Sequence, residues 1–231
     1  MRVDLYLESG PQKKTTYVHV FEPLGCTWMR PTTDEALAAG PGEVRAYLRF
    51  LGNHGEMVEQ DGPLEIAIAE HQILRGAFLS SMVFPRDLEP CSAADAKRDR
   101  ARFAWLADDT LALVAGLSRT ELDATPAKGR AVATIIGHVL GAAYAYTSHL
   151  KLPGVHKVRA AVEAGEIDAR DGLHEGAAVI LDRLAALTPE ELAMAEPRGG
   201  TVRGSSRMFR SLLEHGWEHY SELCARLDVE R

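Results

Sequence analysis

The chain has 231 residues, 46 % hydrophobic and 26 % charged, a balance that builds a sizeable core and excludes a disordered protein. Its formal net charge is −7 and no run of lysines and arginines exceeds a pair. That excludes the basic footprint of a nucleic-acid binder or of a protein held on anionic membranes.

In residues 2–8 polar and apolar side chains alternate, Ser9-Gly10-Pro11 breaks the pattern, and a β-rich stretch resumes over 16–21, which predicts a hairpin. Thr32 stands three residues before Glu35, a capping-box spacing that opens a short helix over 34–37. Gly40-Pro41-Gly42 is expected to interrupt it, with a second helical piece over 43–51 and a strand over 64–70. Residues 1–90 thus read as a small α+β domain. Residues 84–90 hold two prolines and read as a linker, and Ser92 and Asp95 are spaced to cap the helix that follows.

Residues 91–231 read as a second, all-α domain, an up-down four-helix bundle. Phe103, Leu106, Thr110, Leu113 and Leu117 step by three and four, as do Leu173, Ala177, Ile180, Leu184 and Leu187. Two further helices run over 131–150 and 208–227, and Leu152-Pro153-Gly154 leads a short extra one. The glycine-rich stretch 199–206 lacks a P-loop lysine and reads as the loop into the last helix. Arg203 and Arg207 lie near that helix start, in place to meet an anionic substrate.

Three histidines carry the chemistry. His215 and His219 are one helical turn apart, so both project from one helix face, and a third imidazole from a facing helix, His138, completes a three-nitrogen metal site with an open position. All three fall on apolar stripes and are expected to point into the bundle. Singly, each reads better as a core or boundary histidine hydrogen-bonded to something nearby. Together, one divalent ion would satisfy a nitrogen of each, where burying them unpaired costs about 1–3 kcal/mol apiece. His215-Gly216-Trp217-Glu218-His219 also matches HxxEH formally, but such peptidases need a further ligand downstream, and only an amphipathic stretch to Arg231 follows. Glu218 reads as a solvated glutamate.

The other histidines lack partners at ligand spacing: His149 lies three turns from His138, and His19, His54, His71, His156 and His174 read as surface or boundary residues. Cys26, Cys91 and Cys224, odd in number and far apart, read as reduced thiols of a cytoplasmic protein, none beside an activating base. No run of about 18 apolar residues suggests a membrane span, and acids stand in residues 1–8 where a signal peptide would be apolar.

Residues 129–138, Gly129-Arg130-Ala131-Val132-Ala133-Thr134-Ile135-Ile136-Gly137-His138, with the last helix from Met208 through His215 and His219, resemble the DinB superfamily of metal-binding four-helix bundles. The resemblance covers roughly residues 93–228. It implies zinc or nickel on His138, His215 and His219. It further implies either a thiol-dependent S-transferase using mycothiol, bacillithiol or glutathione, or a metal-dependent hydrolase. The family's glycine-glutamine ending is replaced here by Tyr220-Ser221-Glu222-Leu223. Residues 17–26 and Thr33-Asp34-Glu35-Ala36-Leu37 resemble HicB-type domains, departing from them at Gly40-Pro41-Gly42, and suggest a lid, a dimerisation element or a ligand module. The expected partners are a small-molecule substrate and a second copy of the chain, with neither nucleic acid nor membrane. The alternative is a non-catalytic stress-related or ligand-binding protein that uses the HicB-like domain as a protein interface.

Overall fold

The computed structural model describes residues 1–11, 14–74, 82–198 and 201–231. An N-terminal sheet precedes a mostly helical C-terminal part. Strands β1 (Arg2–Ser9), β2 (Lys14–Phe21) and β3 (Leu24–Thr32) form an antiparallel meander. Helix α1 (Thr33–Asn53) then crosses over, so that β4 (Glu65–Ile73) pairs parallel to β1 in the order β3-β2-β1-β4.

Alternation along the strands sorts the two faces. Leu5 stands opposite Val20, Leu7 opposite Val18 and Val18 opposite Trp28, and with Val3 these form a buried apolar face. Helix α1 covers it, held by the Trp28 Nε1–H donating to the Ala36 carbonyl at 2.8 Å. The opposite face carries Tyr6, Glu8, Tyr17, His19 and Thr27 and meets the last helix.

The expected break at Gly40-Pro41-Gly42 is corrected: α1 is continuous with Pro41 inside it. Pro41 and Gly42 lie on the exposed side, while Ala36, Val44, Tyr47, Leu48 and Leu51 are buried. At about 2 kcal/mol per large apolar side chain, that burial exceeds the ~3 kcal/mol of one helical proline.

Four long helices follow, α2 (Ala93–Val114), α4 (Val132–Thr147), α6 (Ala169–Ala185) and α8 (Ser205–Leu227), with short α3 (Arg119–Asp123), α5 (Pro153–Glu163) and α7 (Pro189–Ala193) between them. Both α2 and α4 pack against α6 and α8, so the long helices close a ring. The N-caps Thr32, Ser92 and Asp168 each accept from a backbone N–H three residues on. One apolar core runs from Val3, Leu5 and Val18 of the sheet to Phe103, Leu140 and Trp217 of the helices.

The C-terminal part is not all-α as expected. Strands β5 (Ala195–Arg198) and β6 (Thr201–Gly204) pair antiparallel just before α8. Pro197 denies this stretch a helix, and β-branched Thr201 and Val202 favour an extended chain. Gly199 and Gly200, read from sequence as loop, lie outside the described residues. The stretch read as a linker is corrected as well: Pro85–Leu88 form a 3₁₀ turn with Phe84 and Asp87 buried. Among the described residues no helix is long and apolar enough to cross a membrane.

Candidate metal centre

His138 on α4 and His215 and His219 on α8 come together across the α4–α8 seam. His215 Nε2 lies 3.1 Å from His138 Nε2 and 3.2 Å from His219 Nε2, and one ligand nitrogen from each residue falls within 4.8 Å of the others. The rings meet tilted and edge-on, with centroids 4.4–4.9 Å apart. Two nitrogens bound tetrahedrally at about 2.0–2.1 Å from an ion are separated by roughly 3.3 Å. The two short separations match this.

An imidazole nitrogen offers either one N–H or one lone pair in the ring plane. His215 Nε2 therefore cannot hydrogen-bond to both neighbours at once, and one close N···N contact has no hydrogen to account for it. A cation at the centre removes the conflict, because all three nitrogens then present lone pairs.

The expectation that all three imidazoles point inward is corrected. His219 is buried at 5 % exposure, His215 half-buried and His138 exposed. The cluster is a rim site, closed on the α8 side and open to solvent on the α4 side. Burial, then the neighbouring His219 and His138, pushes His215 down to about 3. Burial and His219 lower His138 as well. Both are neutral at pH 7, the state that ligates metal.

Glu222 and Arg130, which the sequence reading did not single out, complete the arrangement. Glu222 Oε2 lies 2.7 Å from His219 Nδ1 and accepts from Arg130 Nη2 at 2.6 Å, while Oε1 accepts from Arg130 Nε at 3.3 Å. A proton on Nδ1 donated to this carboxylate leaves the Nε2 lone pair aimed at the other two histidines. Partial burial raises the Glu222 carboxyl, but the hydrogen bonds from Arg130 and His219 outweigh it and hold the group low and ionised.

No relative is found. No family model, no curated protein and no solved structure matches the chain.

The opposite side of α8 anchors the helix to the sheet. Glu218, read as solvated, accepts from the Tyr17 hydroxyl at 2.5 Å. His19, read as a boundary residue, is 1 % exposed, with Nδ1 3.0 Å from Glu214 and Nε2 3.4 Å from Glu8. Arg210 reaches Asp87 at 2.7 and 2.8 Å and Glu214 at 3.1 Å. The chain of Glu8, His19, Glu214, Arg210 and Asp87 thus links β1, β2, the 3₁₀ turn and α8. Its only sequence trace is that Glu214 and Glu218 both lie within a turn of the histidine pair.

The remaining histidines stay out of the cluster. His54 meets Asp109 at 3.0 Å and stacks on Trp105, and His71 meets Ser9 Oγ at 2.8 Å. Cys26, Cys91 and Cys224 are free and buried. Burial pushes the thiols up, Cys91 to about 12, which disfavours a nucleophilic thiolate.

Proposed function

We propose that the chain is a divalent-metal enzyme of the DinB type, in which His138, His215 and His219 hold zinc or nickel and a small molecule reacts by thiol-dependent S-transfer or by hydrolysis. The observation that carries this reading is the convergence of three imidazole nitrogens, with His215 Nε2 at 3.1 and 3.2 Å from the other two. The ring of four long helices supports it, since one ligand comes from the second and an HxxxH pair from the last. When bound, the ion supplies Lewis acidity that favours the anion of a thiol or a water at neutral pH.

The chain's own groups prepare the site. The Glu222 carboxylate sets the His219 tautomer, and Arg130 holds that carboxylate in place. Tyr146 packs its ring 5.7 Å from His215 and walls one side. The exposure of His138 leaves the approach open, as a catalytic site needs and a closed structural site does not. The non-catalytic alternative has less support, because the polar sheet face it would offer to a partner is already taken by α8. Three free, buried thiols suit a cytoplasmic setting.

Elemental analysis of purified protein tests the proposal. We expect about one equivalent of zinc or nickel in the wild type and its loss from the His215→Ala/His219→Ala double variant. The metal-loaded wild type should also show a selective thermal shift with mycothiol, bacillithiol or glutathione if the reaction is S-transfer. Full metal content in the double variant would overturn the assignment.

A further inference from the structure

Beside the metal centre, toward the start of α8, lies a cleft of about 430 Å³, within the size range of small-molecule sites. Tyr146, Ser148, His149, Arg203, Arg207 and Ser211 line it. Two of these tie it to the histidines: Tyr146 packs against His215, and Ser211 lies one helical turn before His215 on α8.

The charges in this cleft are one-sided. In a chain of net charge −7, the lining includes two arginines and no carboxylate. Arg203 is half-exposed on β6. Arg207 reaches back to Asp87 at 3.8 Å, which holds its guanidinium against the wall. Burial and then Arg203 lower His149, so its imidazole serves as a neutral hydrogen-bonding group. The field of the α8 N-terminus has the same positive sign. Between the cations and the histidines the wall is mostly apolar or aromatic, with Ala145, Met208 and the Tyr146 ring beside the Ser211 hydroxyl.

We infer that this cleft seats the oxyanion of the substrate, a carboxylate or phosphate, and that Arg203 and Arg207 recognise it while the reacting end of the molecule lies at the three histidines. This deepens the metal-enzyme reading and rests on it for the word substrate. His215 lies eight positions beyond Arg207, so their backbone positions are offset by about 12 Å along the helix. The ligand class is an elongated organic anion with an apolar middle. An uncharged molecule of the same shape displaces water from the Arg203 guanidinium without offering it a counter-charge, and it is rejected.

The test uses metal-free protein, so that anion recognition is measured apart from the metal. The probes are 4-phenylbutyrate and its uncharged counterpart 4-phenylbutanol, titrated by calorimetry at low and at physiological salt. We expect the carboxylate to bind at least about tenfold more tightly than the alcohol, with an affinity that falls as salt rises. Arg203→Gln should abolish that preference, and Arg203→Lys should restore most of it. Thermal melts of both variants establish that they fold. His138→Ala should keep the preference, so failure of the metal assignment would leave this result standing. Equal binding of acid and alcohol, no saturable binding of either, or a preference unchanged in Arg203→Gln would overturn the inference.

Discussion

Glu222 sits one turn beyond His219 and determines which of its nitrogens carries the proton. Carboxylates that hold a ligating imidazole in this way tune metal affinity by about 10–100-fold. Glu222→Gln keeps the size and one acceptor but removes the charge that Arg130 and His219 share. We expect it to weaken zinc binding by about tenfold or more in a chelator competition, with metal stoichiometry still near one at saturating zinc. An affinity equal to wild type would show that Glu222 pairs with Arg130 alone. The three histidines were legible in the sequence because an HxxxH pair and a third histidine on another apolar helix form a pattern that survives folding. Glu222 was not, since a glutamate at i+3 from a histidine is common on any helix. His19 and Glu218 were misread for a different reason: their partners Glu214 and Tyr17 lie 195 and 201 residues away, beyond any local period.

Helix α1 shows where local chemistry lost to packing. Gly40-Pro41-Gly42 has every mark of a helix break, yet the apolar stripe on either side keeps one phase and both halves cover the same sheet face. Hairpin, caps and long amphipathic helices were readable because each depends on neighbours within a few residues. By contrast, β3 and the β5–β6 pair were missed because their pairing partners decide them. The two glycines of α1 now separate by environment. A Cβ on Gly42 would meet no atom within 4 Å, whereas one on Gly40 would lie 3.1 Å from Ile66 Cδ1 and 3.5 Å from Trp28. Gly42→Ala should therefore stabilise the protein by about 1 kcal/mol, roughly 2–4 °C in Tm for a chain of this size. Gly40→Ala should gain less or lose stability, because the helix must shift off the sheet. A thermal melt of each variant checks this, and a larger gain at Gly40 would contradict the packing.

The buried ionic chain makes sheet and helices one mechanical unit, and it gives the whole molecule a pH dependence. Burial alone would lower His19, and Arg210 opposes its charge as well, but Glu214 and Glu8 outweigh both and raise it above its ordinary 6.5. The folded protein therefore holds this proton where the unfolded chain releases it. The stability it contributes is complete below pH 6.5 and is lost as pH rises through the folded value. Other groups act as well. Burial raises Asp87, and raises Asp99 to about 6, so their contributions fall at lower pH. His138, His149 and His215 are held low, so around and just above pH 6.5 the unfolded chain keeps more of their protons and their contribution rises with pH, opposite to that of His19. The contribution of His19 is therefore the difference between wild type and a variant lacking its imidazole, followed from pH 6.5 to 8. Metal-free protein serves for this comparison, because no ion then adds its own proton linkage. The Tm gap between wild type and His19→Gln should be widest at pH 6.5 and narrow toward 8. Parallel curves would mean that the imidazole is neutral in the fold, and that Arg210 alone balances the carboxylates joining α8 to the sheet.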